Sequence, residues 1–418
     1  MIDRFARRLM LATLKHVADG HLDLAAPSGT WSFGDPSSSR RASVRLNDER
    51  AFRRVLFGGD IGFGEAYMDG AWSTDDLVAL LRLAIRNLAL FEDRNRLLSA
   101  ISRWRDLLSH RRKPNSRRGS RANIRAHYDL GNEFYRLFLD ASMAYSCAIF
   151  RSADDPLEAA QQEKFDRICR KLRLVPSDRV LEIGTGWGGF AVWAATRYGC
   201  RVTTTTISAE QHAYAADLFA RLGLGPDRIE LRFEDYRDLK GRFDRIVSIE
   251  MFEAVGLEHY DAFFGQCDRL LAPHGTMLLQ AITVTDQRFE RYRATPDWIR
   301  KYIFPGGELA SVGAILESLG RATSLALYDL EEIGAHYART LHEWRRRFMA
   351  SLDRVRALGF DDRFIRMWEY YLASCEAAFL ERQIGDVQML LTKTMNVRPL
   401  MDEPWIEEGG ARHASGTR

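Results

Sequence analysis

The residues most able to do chemistry cluster around one turn, VLEIGTGWGGF (Val180–Phe190), where Gly184, Gly186 and Gly189 satisfy GxGxxG between a strand-like run and a helical one. Glycines are required where the backbone turns sharply and a ligand approaches it closely, which suits any nucleotide-derived cofactor. A dinucleotide fold also wants an acid at the end of the next strand for the ribose hydroxyls, but that strand ends Thr203-Thr204-Thr205-Thr206-Ile207-Ser208. Instead Glu182 stands at the tip of the first strand, placed for the amino-acid end of S-adenosylmethionine. Glu234 and Asp235 follow the third strand, placed for an adenine amino group or a ribose. This arrangement favours a class I methyltransferase over a dehydrogenase.

These residues need a doubly wound sheet beneath them. Strands at Arg179–Ile183, Arg201–Thr205, Arg228–Phe233, Phe243–Ile249 and Thr276–Ile282 alternate with helices at Gly188–Tyr198, Ala209–Leu222 and Tyr260–Leu271. Repeated β–α units of this kind predict a mostly parallel sheet. Helices follow at Gly334–Ala350 and Asp361–Glu381, and Val387–Met395 reads as a last, antiparallel strand. Before residue 109, three short strands (His21–Leu24, Thr30–Phe33, Ala42–Leu46) and an amphipathic helical pattern predict a smaller α+β domain. The expected boundaries are 1–108, a basic linker at 109–122, a catalytic domain at 123–400 carrying an acyl-pocket insertion, and a polar tail at 401–418.

Composition bounds the function. Of 418 residues 46% are hydrophobic and 28% charged, as in ordinary globular proteins. Five scattered cysteines without a CxxC pair predict neither a disulfide framework nor a metal site, and a cytoplasmic location. A net charge of +3 argues for no nucleic-acid partner. No apolar run reaches membrane-spanning length, so any membrane contact is peripheral. Nine basic residues against one acid between Ile101 and Arg125 would suit a solvated hinge or a patch attracted to anionic lipid.

Wider motifs make the likeness specific: HYDLGNEFYRLFLD (His127–Asp140), MAYSCAIF (Met143–Phe150), AQQEKFDRIC (Ala160–Cys169), TISAEQ (Thr206–Gln211), EDYRDL (Glu234–Leu239), FDRIVSIEMFEAVG (Phe243–Gly256) and KYIFPGGELAS (Lys301–Ser311). With the glycine turn, they resemble the cyclopropane-fatty-acyl-phospholipid synthases. GFGEAYMDGAW (Gly62–Trp72) is similar to the N-terminal domain of the two-domain bacterial members.

The resemblance implies methyl transfer from S-adenosylmethionine to a cis double bond of a phospholipid acyl chain at the membrane surface. The resulting cation loses a proton to a bound bicarbonate as the ring closes. It implies Tyr145, Ser146, Gly188, Thr206, Ile207, Ser208 and Gln211 at the cofactor, beside Glu182, Gly184, Gly186, Glu234 and Asp235. It implies bicarbonate ligands at Cys147, Glu253, the backbone of Ile282 and Tyr337. Gln280 stands where the family usually has histidine, and Ala254 where a histidine often follows the glutamate, so the site holds less positive charge for an anion. A cation that instead shifts hydride would give a methylene or methyl-branched chain. Cys375 also matches a family cysteine, but no base accompanies it and it is expected to be structural. The N-terminal domain is expected to engage lipid or to mediate a homodimer. A lipid-binding protein without turnover is the reading from another class.

Overall fold

The computed structural model describes residues 2–88, 130–295 and 297–396. The basic linker, His127 and the polar tail lie outside the described residues.

A seven-stranded sheet forms the centre, in the order β10-β11-β9-β8-β5-β6-β7. Its strands are β5 (Arg179–Ile183), β6 (Arg201–Thr206), β7 (Ile229–Phe233), β8 (Phe243–Ile249), β9 (Leu271–Val284), β10 (Leu325–Glu332) and β11 (Ile384–Lys393). Strands β5 to β9 pair in parallel, whereas β11 runs antiparallel to both neighbours. Parallel strands covered on both faces lose the polar alternation of a half-exposed strand. Accordingly Val180, Leu181, Glu182 and Ile183 are all buried.

The predicted last strand begins three residues earlier than expected, at Ile384. Gly385 and Asp386 carry no strand-forming signal of their own; pairing with Thr283 and Ile282 recruits them. Because β11 is antiparallel, its start lies at the end of the sheet where the parallel strands finish.

The first 88 residues form a second layer. Strands β1 (His21–Ala26), β2 (Gly29–Gly34), β3 (Arg41–Leu46) and β4 (Trp72–Ser73) pair in the order β2-β1-β3-β4. Helices α1 (Ile2–Leu14), α2 (Arg50–Met68) and α3 (Leu77–Arg86) pack with them. Asp76 caps α3 by accepting from the Ala79 N–H at 2.9 Å.

Before the glycine turn lie α4 (Asn132–Tyr135) and α5 (Leu157–Lys171), and after it α6 (Gly189–Arg197), α7 (Ala209–Arg221) and α8 (Tyr260–Leu270). Beyond β9 lie α9 (Asp286–Ala294), α10 (Trp298–Tyr302), α11 (Val312–Ala322), α12 (Gly334–Ala350), α13 (Leu352–Ala357) and α14 (Asp362–Leu380).

The N-terminal layer is fastened to α10 and α14. Tyr67 donates to Glu369 at 2.7 Å, Lys301 and Tyr302 both donate to Glu65 at 2.7 Å, and Arg82 and Arg86 pair with the buried Glu381. Gly64 makes this contact possible, because a Cβ there would lie 2.5 Å from the Trp298 ring and 2.9 Å from Tyr370. One apolar cluster therefore runs without a break from Met10 and Leu24 through Trp72 to Trp344 and Trp368.

Candidate active site

A cavity of about 890 Å³ opens at the C-terminal ends of the parallel strands, where ligands of open α/β sheets bind. It extends from the glycine turn, past Tyr145, Phe304, Tyr371 and Phe379, to Leu22, Leu24 and Leu46 of the N-terminal sheet. Its walls are mainly aliphatic and aromatic. Tyr292 lines it as well as Phe304, while Trp298 is packed away from it beneath Gly64. Trp344, Phe348 and Trp368 are fully buried core, and of that helical series Tyr371 reaches the cavity.

At one end the strand tips present the predicted cofactor residues. Gly184, Gly186 and Gly188 all have positive φ, and Gly186, at +52°, has open space where a Cβ would project. Trp187 anchors the turn by donating to Asn132 of α4 at 2.6 Å, which explains why the GNEFY motif accompanies it.

Glu182 is buried at the cavity wall and accepts from the Thr204 hydroxyl at 2.6 Å. Burial pushes its carboxyl up to about 8, against the opposing pull of Thr204 and Lys164. Gln211 approaches the Thr206 hydroxyl at 3.1 Å, and Ser208 caps α7 by accepting from the Gln211 N–H. Thr206, Ile207, Gln211, Glu234 and Asp235 all line the cavity. Asp235 is already gripped by Arg237, which donates to both carboxylate oxygens at 2.8 and 2.7 Å. Glu234, which borders the same wall, is half-buried.

Tyr145 and Ser146 have other partners here. Tyr145 shares a 2.8 Å hydroxyl contact with Tyr371, and Ser146 accepts from the buried Lys164 ammonium at 2.7 Å. Burial lowers Lys164 to about 8, while the charge of Glu250 is the strongest pull back.

The open turn, the buried Glu182 and the cavity beyond them fit an S-adenosylmethionine molecule. Its polar groups would meet the strand tips and its reactive end the apolar space.

A second polar cluster lies further along the strand ends. Glu250, the first residue beyond β8, accepts from the Cys147 N–H at 2.8 Å, the Gln280 amide at 2.8 Å and the Tyr337 hydroxyl at 2.6 Å. Its own N–H donates to the Gln280 carbonyl at 2.8 Å. Gln388, opposite Gln280 across the β9–β11 ladder, donates to Gln280 Oε1 at 3.0 Å and so turns the Gln280 amino group toward Glu250. That amino group also reaches Asp386 at 3.2 Å.

Glu250 adopts φ +48°, a conformation costing a non-glycine residue about 1–3 kcal/mol and found preferentially at functional sites. Burial raises its carboxyl, and Tyr337, Cys147, Lys164 and Gln280 each oppose that rise. Asp386 is raised well above the usual range by burial and by the charges of Glu250 and Glu253.

The predicted bicarbonate ligands are brought together, but around a different partner. Three of the donors, from Cys147, Gln280 and Tyr337, point at Glu250. The fourth, Ile282 N–H, donates to Glu253 at 2.6 Å. Glu253 Oε2 is buried without a partner, and burial, then the Glu250 charge, pushes this carboxyl up to about 8. These residues do not fit a bicarbonate ion, because their donors are taken and an added anion would face Glu250 directly.

The Cys147 side chain donates to the Ala148 carbonyl at 3.2 Å and also interacts with Asp386, and burial drives the thiol well up; its backbone N–H is what reaches Glu250. Cys375 borders the cavity, but burial pushes its thiol up to about 12, which leaves it a poor nucleophile.

Glu250, Lys164, Asp386 and Gln388 were not among the predicted residues. Glu250 was legible in principle, since it ends an apolar strand at the edge where such sheets gather their chemistry. Asp386 and Gln388 carried no local signal; their role follows from antiparallel register.

Comparison with known proteins agrees with this geometry. The model of the mycolic acid cyclopropane synthetase family matches residues 115–389. The chain is 38% identical to the tuberculostearic acid methyltransferase of Mycobacterium tuberculosis, over 93% of this chain and 91% of that one. It is 39% identical to the cyclopropane-fatty-acyl-phospholipid synthase of Escherichia coli K12, over 85% and 89% respectively.

Among solved structures, the cyclopropane synthase MmaA2 from Mycobacterium tuberculosis superposes with TM-score 0.61 at 31% identity, covering 65% of this chain and 98% of that one. A mycolic acid cyclopropane synthase complexed with S-adenosylhomocysteine and CTAB gives 0.60 at 32% identity, covering 65% and 98%. With the glycine turn, the buried strand-tip carboxylate and the long apolar cavity, these matches show that the chain belongs to the mycolic acid cyclopropane synthetase family of S-adenosylmethionine-dependent methyltransferases.

Proposed function

We propose that this enzyme methylates the cis double bond of an unsaturated phospholipid acyl chain and that a cyclopropane ring closes on it. The observation that carries this reading is the cavity itself: a long apolar space that meets a cofactor turn at one end and holds a buried carboxylate beside it. Hydrocarbon has no polar handle, so orientation must come from shape, and these walls supply it.

S-adenosylmethionine, held by Glu182, Gly184, Gly186, Thr206, Gln211 and Glu234, supplies an electrophilic methyl group. The chain's own residues do the rest. The aromatic walls exclude water from the acyl cation, and the faces of Tyr145, Tyr371 and Phe379 offer it negative quadrupole. The N-terminal layer, whose Leu22, Leu24 and Leu46 border the cavity, takes the distal part of the chain. We assign the lipid-engaging role to that layer and to the basic stretch that follows it, which suits a phosphate-rich surface.

A second reading, a methylene or methyl-branched product, is favoured by one observation. Gln280 and Glu250 together replace a cationic, anion-holding environment with a fixed carboxylate. Incubation of the purified protein with labelled S-adenosylmethionine and dioleoyl-phospholipid vesicles, followed by mass spectrometry of the acyl methyl esters, tests both. A ring-bearing product is expected. A labelled, ring-free chain selects the second reading, and unlabelled lipid overturns both.

A further inference from the structure

Every donor that the family resemblance assigns to a bicarbonate ion already has a carboxylate of this chain as its partner. Glu250 takes the hydrogen bonds of Cys147 N–H, Tyr337 and Gln280, and Glu253 takes that of Ile282 N–H. We propose that Glu250 is itself the base of this enzyme, a resident carboxylate in the place of a bound anion, which removes the proton that ends the reaction. This deepens, and rests on, the acyl-methylation reading above.

Geometry distinguishes Glu250 from its neighbours. It borders the cavity and is the common acceptor of three donors from three separate elements. Such a set favours the ionised form and aims it. The groups that face it are Lys164, Glu253, Asp386, Cys147 and Tyr337. Lys164 is the cation among them. Burial pushes the carboxyls of Asp386, Glu253 and Glu250 all upward, but Asp386 and Glu253 each accept one of these donors whereas Glu250 accepts three. Three buried carboxyls already face a single ammonium, so a further anion would be uncompensated. The strained φ of Glu250 is consistent with a side chain kept for its position rather than for stability.

The step balances without a co-reactant. A C–H bond of the cationic acyl chain breaks, and its electron pair forms the new carbon–carbon bond, closing the ring. After a hydride shift the same pair forms a double bond instead. The proton passes to a Glu250 oxygen, and the carboxylate becomes a neutral carboxyl.

Two arms test the proposal with the full-length protein. In the first, turnover on dioleoyl-phosphatidylglycerol vesicles is measured in buffer stripped of carbon dioxide, with and without added bicarbonate. Wild type is expected to run at the same rate in both. Glu250→Gln, which keeps the size of the side chain, is expected to lose at least about 100-fold while S-adenosylhomocysteine affinity is unchanged. A wild-type rate that collapses without bicarbonate, or a near-normal Glu250→Gln, overturns the proposal.

In the second arm, binding of ¹³C-bicarbonate is followed by NMR, without lipid. Wild type is expected to bind none saturably. Glu250→Gly, which frees three donors and relaxes the backbone, is expected to gain a saturable site. Saturable binding to wild type overturns the proposal. If wild type methylates no lipid, the acyl reading alone falls, because this second arm still decides whether Glu250 holds the place of the anion.

Discussion

The two ends of the cavity are built in opposite ways. At the cofactor end the polar groups come from short stretches, 182–188, 204–211 and 234–235, each a strand tip with the loop that follows it. At the other end, Cys147, Lys164, Glu250, Gln280, Tyr337, and the Asp386–Gln388 pair of β11 come from six separate places in the chain. Local construction leaves a motif, whereas convergent construction leaves single residues with ordinary neighbours. The difference also predicts different failures: damage at the first end should weaken cofactor binding, and damage at the second should slow turnover.

Gln280→Leu should have the largest effect. It removes a donor from Glu250 and leaves the amide of Gln388 buried without its acceptor. An unpaired buried polar group costs about 1–3 kcal/mol, so the melting temperature should fall by several degrees. Single-turnover rates should fall by about 100-fold, with S-adenosylhomocysteine affinity nearly unchanged in calorimetry. A change in affinity as large as that in rate would break the separation of the two ends.

Glu182→Gln tests the other end. Loss of the carboxyl that an incoming cofactor ammonium would draw into its ionised form should weaken S-adenosylhomocysteine binding by about 10- to 100-fold, with a smaller effect on the rate at saturation. It carries a pH signature too. The folded carboxyl titrates near 8, above its unfolded value, because burial penalises the charge. Its contribution to stability is therefore present at low pH and is lost as pH rises through about 8. Glutamine does not ionise, so the unliganded variant should melt higher than wild type at pH 8–9 and close to it near pH 5. Parallel melting curves across that range would remove the burial penalty from the account.

Gly186→Ala should have the smallest effect. The positive φ costs alanine about 1 kcal/mol, with no clash beyond the turn, so affinity for S-adenosylhomocysteine should drop by about fivefold. An equal loss in the rate at saturation would show that the turn also positions the acyl chain.

The same contrast explains what could be read from the sequence. Alternating β–α units predicted the central sheet, because each unit announces itself by its own periodicity. The glycine turn and Glu182 were legible for the same reason. The resemblance implies Cys147, Glu253, Ile282, Gln280 and Tyr337 around an ion; in the structure these residues lie together, with their donors on Glu250 and Glu253. Glu250 stands within FDRIVSIEMFEAVG, but nothing in a linear reading shows that three distant donors converge on it. Asp386 was lost with the first residues of β11, which become a strand only when β9 pairs with them.

That pairing gives the enzyme a late checkpoint. Side chains alternate across a strand, so a slip of one residue in β11 would turn Asp386 and Gln388 to the opposite face. During synthesis the glycine turn emerges some two hundred residues before this strand, yet the Gln280 amide is not steered toward Glu250 until Gln388 docks opposite it. A nascent or misregistered chain can therefore form the glycine turn without the Gln280–Glu250 contact, and the cluster is complete only when the last edge of the sheet closes in register.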